Sequence, residues 1–281
     1  MSPSLSGKVA IVTGSSRSIG AAIAKRLASF GANVVINYVS NASAAQAVAD
    51  DINKQGAGKA IIVKADVGSL AENKHLVEET LRQFGRIDIV VLNAGIMENK
   101  KLQDVTEADF DKHYNTNVRG PLFLVQTVVP HLKAGSRVIF FSTSLTRASI
   151  VPPDYLLYAS TKGAVEQFSR ILAKDLGASG ITVNTVSPGP IDTDLFRQGK
   201  TEQQINFFKG LHPQKRLGTA EEVSNVVSFL VSEEASWVNG QTILINGVGP
   251  WGFAWRTQLT DLFSGIRRMM GSQSRGAHDL L

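Results

Sequence analysis

Tyr158 and Lys162 stand four residues apart in Tyr158-Ala159-Ser160-Thr161-Lys162, so a helix through them sets a phenol and an ammonium on one face, one turn apart. A phenol titrates near 10 and is a poor acid–base group at neutral pH, but a neighbouring cation favours the phenolate and draws that pKa down. The pair is therefore suited to moving a proton to or from an oxygen. Such spacing also occurs as a plain helix-surface contact. Two companions argue for chemistry here: the hydroxyl run Ser142-Thr143-Ser144 upstream and Pro188-Gly189-Pro190-Ile191-Asp192-Thr193 downstream.

These residues need a frame to hold them. Continuously apolar, β-branched runs fall at 9–13, 33–38, 60–64, 87–93, 137–142, 181–187 and 242–246, the pattern of strands buried on both faces. Helical spacing occupies 19–30, 42–55, 70–84, 158–176 and 220–231. Ile23 and Leu27 share a face of the first helix, and Leu76, Thr80 and Phe84 repeat along the third. Strand and helix in alternation build βαβ units. The fold class expected is α/β, a single Rossmann-type doubly wound parallel sheet of about seven strands with helices on both faces and ligands at the strands' carboxyl ends. No internal repeat and no linker interrupts the chain before about Gly247, so residues 1–247 are expected to form one domain.

Directly after the first strand comes Thr13-Gly14-Ser15-Ser16-Arg17-Ser18-Ile19-Gly20, opening a helix. Gly14 permits a tight turn, Gly20 close helix–strand packing, and the helix N-terminus offers free N–H groups and a positive dipole end to a pyrophosphate. A glycine turn alone is a weak sign, and its strand–turn–helix setting makes it informative. The second strand ends Ile36-Asn37-Tyr38-Val39-Ser40, without the acidic residue that accepts from the 2′-hydroxyl of an NAD ribose. With Arg17 in the neighbouring loop, and Asn37, Tyr38 and Ser40 as neutral donors, the pocket suits a 2′-phosphate. The expected cofactor is NADP(H). Asp66-Val67 after the third strand offers a carboxylate to an adenine amine, and Asn93-Ala94-Gly95 after the fourth is small enough to lie beside the adenosine ribose.

These motifs together resemble the short-chain dehydrogenase/reductase superfamily from about Gly7 to Gly247. The marks are the Gly14 to Gly20 turn, Asn93-Ala94-Gly95, Thr116-Asn117-Val118, Tyr158-x-x-x-Lys162 and Pro188-Gly189. The Asn37-Tyr38 strand end, Arg119 and the Trp237-Val238-Asn239-Gly240 turn look like fungal ketone reductases, the hydroxynaphthalene reductases among them. The resemblance implies a reductase that moves hydride between NADPH and a carbonyl carbon. Tyr158 would donate the proton and Lys162 would lower its pKa and hold the nicotinamide ribose. Asn117 would hold a water linking Lys162 to solvent, and Ile191 and Thr193 would orient the nicotinamide amide and the phosphates. Counting back from Tyr158 by the fungal spacing selects Ser144 as the hydroxyl that polarises the substrate oxygen. Counting along the strand from Arg137 falls on Thr143, and Ser142 shares a strand face with Ser144. Ser144 is preferred, because a persisting strand points Thr143 to the other face. Ser18 departs from the pattern by standing where the turn has its middle glycine. The family also implies a homotetramer or homodimer, joined through the helices containing Asn117 and Tyr158.

The remaining features narrow the function by exclusion. The chain has 281 residues and no cysteine, which removes disulfides, thiolate catalysis and thiolate metal sites. No group of His, Asp or Glu has metal-ligand spacing, so no metal is expected. The net charge of +5 comes from scattered Lys and Arg with no basic run, and no nucleic-acid partner is expected. The apolar run after Gly7 is too short for a signal or membrane helix, and the protein reads as soluble and cytoplasmic. Phe196, Ile205, Phe207, Phe208 and Leu211, within 195–217, suggest an apolar or polyketide-like small-molecule substrate. Beyond Gly247 the chain continues through 248–281, where Trp255, Leu259, Leu262, Phe263, Ile266 and Met270 form a helical stripe. That stripe suits a helix packed on its own domain or on a second subunit, a lid over the cleft, or a membrane-surface contact, with the first preferred. Two other functions share the scaffold: a non-catalytic NADPH-binding protein, and a non-redox isomerase, dehydratase or cyclase.

Overall fold

The computed structural model describes residues 4–149 and 151–247, and the stripe expected in 248–281 lies outside the described residues. Seven strands form one parallel sheet: β1 (Val9–Val12), β2 (Asn33–Tyr38), β3 (Ala60–Lys64), β4 (Ile89–Leu92), β5 (Arg137–Phe141), β6 (Thr182–Pro188) and β7 (Thr242–Ile245). Their order is β3-β2-β1-β4-β5-β6-β7. The order reverses between β1 and β4, where Ala10 pairs with Ile89 and Val12 with Val91. Such a switch opens a crevice at the carboxyl edge of the sheet.

The helices α1 (Ser18–Ser29), α2 (Ala42–Gln55), α3 (Leu70–Phe84), α4 (Glu107–Tyr114), α5 (Gly120–Val128), α6 (Leu156–Gly177), α7 (Asp194–Arg197), α8 (Glu202–Leu211) and α9 (Ala220–Leu230) complete the fold. Alternation along each strand sends side chains to two separate cores. Ile139, Phe141 and Val186 pack with Ile23 and Leu27 of α1 and Val223 and Val227 of α9. On the other face Val138, Phe140 and Val183 pack with Leu76 of α3, Leu124 of α5 and Val165 of α6. Burial on both faces is why the strands read as unbroken apolar runs.

Helical spacing in the sequence did not single out 107–128, although the family resemblance implied a helix containing Asn117. The chain there runs α4, then a π-helical turn over Asn115–Arg119, then α5. The wider turn breaks the 3.6-residue period on which sequence reading depends, and such turns recur at functional sites.

Candidate active site

Because all seven strands are parallel, the segments leaving β1, β4, β5 and β6 meet at one edge. Asn93 leaves the sheet as soon as β4 ends, and its side-chain amide donates to the carbonyl oxygens of Thr13 (2.9 Å) and Gly14 (3.1 Å). In return the Ala94 N–H donates to the Thr13 hydroxyl at 3.0 Å. Gly14 lies in the left-handed region at φ 60° and a Cβ there would stand 3.0 Å from Ala94 Cα; one on Gly20 would stand 2.4 Å from the Gly14 carbonyl oxygen. The β1–α1 turn and the β4 exit are thus locked together. Ser18 also takes a positive φ, 50°, although it carries a side chain. That conformation costs about 1 kcal/mol, held here by the surrounding turn.

The start of α1 differs from its neighbours. Asn41, Ser69, Thr106, Thr193, Thr201 and Thr219 cap α2, α3, α4, α7, α8 and α9 with their own side chains. Arg17 precedes α1 without capping it, and no acidic residue stands in its first turn. Helices α5 and α6 are also uncapped, but each continues out of a preceding helical turn. Free N–H groups and an uncompensated positive end are what a pyrophosphate requires. Ser16 and Ile19 flank this end half-buried. Arg17 is exposed, its Nη1 3.9 Å from the equally exposed carboxylate of Asp194 on α7. The residues therefore fit a dinucleotide phosphate group.

Asn37 requires a correction. It is buried, with its side-chain oxygen accepting from Gly14 N–H (3.0 Å) and its amide donating to the Ala65 carbonyl (2.9 Å). It shapes the β1–α1 turn and has no free donor for a 2′-phosphate. Tyr38 packs half-buried against the core and Ser40 is exposed, so Arg17 and Ser40 are the polar groups at that corner that face outward. Asp66 is exposed, with one carboxylate oxygen taken by the Gly68 N–H at 2.9 Å. Val67 is buried. Gly189 lies against Asn246, Ile191 is buried and bridges Gly218, and the Thr193 hydroxyl caps α7.

The proton-handling residues lie at the far side of the same edge. Lys162 is buried, and its Nζ donates to the Phe141 carbonyl at 2.8 Å and lies 5.7 Å from the centre of the Tyr158 ring. A Cβ on Gly95 would come within 3.4 Å of that Nζ. Burial pulls the Lys162 pKa down to about 8. Tyr158 is pushed up to about 12, first by burial; a hydrogen bond with the Thr143 side chain opposes that rise, and Tyr155 adds to it. Without the positive charge of a nicotinamide, desolvation leaves the phenol above its ordinary value.

Thr143 is therefore a second candidate, beside Ser144, for the hydroxyl that polarises the substrate oxygen. The reason is local: β5 stops at Phe141, and the chain turns at Thr143 into a 3₁₀ helix over Ser144–Arg147, so strand alternation no longer decides which side chain faces Tyr158. Ser142 is spent elsewhere, donating to Glu166 at 2.8 Å. Asn117 sits in the π-helical turn, buried. Its side-chain oxygen accepts from Ile96 N–H (2.9 Å), and its amide donates to the Ile96 carbonyl (2.9 Å) and the Thr161 hydroxyl (3.1 Å). It staples the β4 exit to α6. The sequence favours Ser144 over Thr143 and does not single out Glu166, whose i+4 spacing from Lys162 is the available signal.

Known proteins resemble the chain over most of its length. The sequence model of a family described as enoyl-(acyl carrier protein) reductase matches residues 14–247. A probable tetrahydroxynaphthalene reductase of Zymoseptoria tritici is 39% identical over 254 residues, covering 86% of this chain and 94% of the relative. Elsinochrome reductase 1 of Elsinoe fawcettii is likewise 39% identical over 254 residues, with the same coverage of 86% and 94%. A short-chain dehydrogenase of Burkholderia cenocepacia J2315, solved in complex with NADP, superposes with a TM-score of 0.82 at 38% identity, over 86% of this chain and 98% of that one. The angucycline C-6 ketoreductase LanV with bound NADP gives 0.81 at 36% identity, over 88% and 97%. Among the described residues no helix is long and apolar enough to cross a membrane, and no group of side chains could hold a metal ion.

Proposed function

Because the chain belongs to the short-chain dehydrogenase/reductase family, and is an NADP-dependent oxidoreductase, we propose that it reduces the ketone of an apolar, fused-ring or polyketide-like substrate with Tyr158 as proton donor. The observation that carries this reading is the placement of Tyr158 beside the buried Lys162, whose Nζ lies 5.7 Å from the centre of its ring. Bound NADPH supplies the hydride that reaches the carbonyl carbon. As charge develops on the carbonyl oxygen, the Tyr158 hydroxyl delivers its proton there and the Thr143 hydroxyl donates a second hydrogen bond. Lys162 holds the nicotinamide ribose, and its charge offsets the phenolate left on Tyr158. Asn117 keeps the Ile96 segment and α6 in register.

An apolar substrate is supported by the aromatic cluster on α7 and α8, in the segment expected to cover the cleft. Phe196 of α7 and Phe208 of α8 meet edge-to-face at 5.4 Å, and Phe207 and Phe208 at 5.8 Å. Relatives named for tetrahydroxynaphthalene and elsinochrome suggest the same class. The test is NADPH oxidation, followed at the nicotinamide absorbance, with fused-ring aromatic ketones beside short aliphatic ones. Preference for the aliphatic set would remove the substrate class, and no turnover with any ketone would remove the reductase reading.

The hydroxyl assignment has its own expected result. Thr143→Val should lower kcat on the order of tenfold or more, the scale of one hydrogen bond to a developing charge. Ser144→Ala should change it far less. Steady-state kinetics on the two variants checks this, and a larger loss in Ser144→Ala would return the role to Ser144.

A further inference from the structure

Glu166 lies on α6 one turn past Lys162, and the reading above gives it no task. It is 8% exposed, yet its carboxylate is met by side chains from three segments. Ser142 Oγ donates at 2.8 Å, Thr146 Oγ1 at 2.5 Å and Ser187 Oγ at 3.5 Å, and Arg147 Nη2 lies at 3.3 Å. A carboxylate taken this far from water is costly unless its lone pairs are filled, and here they are. Convergence of this kind is not general along the α6–β6 seam. One turn further, the buried hydroxyls of Ser169 and Thr185 have no partner at all.

The partners of Glu166 are the residues around Thr143. Ser142 precedes it, Thr146 and Arg147 close the 3₁₀ turn that follows it, and Ser187 stands at the end of β6 just before Pro188-Gly189. Tyr158 comes from α6 and Thr143 from the end of β5, so their separation depends on what ties those elements together. Two hydrogen bonds join them through the backbone carbonyls of Phe141 and Lys162; three more end on the Glu166 carboxylate.

We propose that Glu166 is a positioning residue, whose carboxylate fixes the 142–147 segment against α6 and so sets the distance between the Tyr158 and Thr143 hydroxyls that grip the substrate oxygen. This rests on Tyr158 being the acid. A misplacement of about 1 Å at such a pair costs on the order of 10²-fold in rate without touching cofactor contacts.

Glu166→Ala is therefore expected to lower kcat for a ketone roughly 10- to 100-fold, while NADPH affinity by fluorescence titration moves less than about threefold. Glu166→Gln keeps an acceptor oxygen for Ser142 and Thr146 and should recover most of the lost rate. In a Tyr158→Phe background Glu166→Ala should cost little more, because the acid it positions is already gone. Should the alanine variant fail to fold, Thr146→Val carries the test, with a severalfold loss of kcat at unchanged NADPH affinity. The proposal is overturned if kcat survives in the variant that folds, if NADPH affinity falls in step with kcat, or if the losses multiply in the double variant. A fully active Tyr158→Phe enzyme overturns the acid assignment and this proposal together; an inactive Tyr158→Phe enzyme beside a fully active Glu166→Ala enzyme overturns this proposal alone.

Discussion

Replacing Tyr158 by Phe is expected to lower ketone turnover by roughly 10²–10⁴-fold, the contribution of a placed general acid, while NADPH still binds. The ring fills the same space and keeps its edge-to-face contact with Tyr155, 6.5 Å between centres. Only the hydroxyl disappears. With the phenol held up to about 12 in the protein alone, Tyr158 carries its proton across the neutral range, as a donor in reduction must. Pre-steady-state kinetics would show the loss in the chemical step, with the binding phase unchanged. Near-normal turnover in the variant would mean that another group supplies the proton.

The second large effect concerns the choice between cofactors. Arg17→Ala is expected to weaken NADPH binding by about one to two decades, or about 1.5–3 kcal/mol for a charge-assisted contact to phosphate, and to leave NADH binding unchanged. Arg17 is available for this, since its exposed partner Asp194 stands 3.9 Å away and a pair of that kind contributes little. With Asn37 committed to the turn, the arginine carries the discrimination at that corner more heavily than the strand-end sequence suggests. Titration of both dinucleotides against parent and variant measures it. Equal affinities in the parent would refute the phosphate pocket.

The parallel sheet was legible because burial on both faces leaves a plain trace, and helices 42–55 and 70–84 fall where their amphipathic spacing put them. Strand ends were not. The run at 87–93 reads as one strand, but β4 starts at Ile89, after Asp88 takes the Val9 N–H and pairs with Arg86, and it stops at Leu92 because Asn93 turns to hold Thr13 and Gly14. The glycines of the turn, Tyr158 and Lys162 could be read because each does its work through residue type and local spacing. Which hydroxyl attends Tyr158, and what Asn37 does, could not. Both depend on where β5 gives way to a 3₁₀ turn and on which carbonyls lie across from an amide, and neither is written in the neighbouring residues.

The uncapped start of α1 has a thermodynamic consequence. Most of the other helices satisfy a first-turn N–H with a side-chain cap and this one does not, so an anion bound there would add to the stability of the folded protein. Any dinucleotide that binds the native state alone stabilises it by RT ln(1 + [L]/Kd), about 2.7 kcal/mol at a hundredfold excess over Kd. The protected region should begin at this helix end: amide hydrogen exchange in the first turn of α1 is expected to slow on adding NADP⁺ well before the deep strands respond. If exchange there is unaffected by the dinucleotide, the pyrophosphate does not sit on α1. If it slows as expected, resistance to unfolding and proteolysis becomes a readout of the free NADP(H) concentration around the protein.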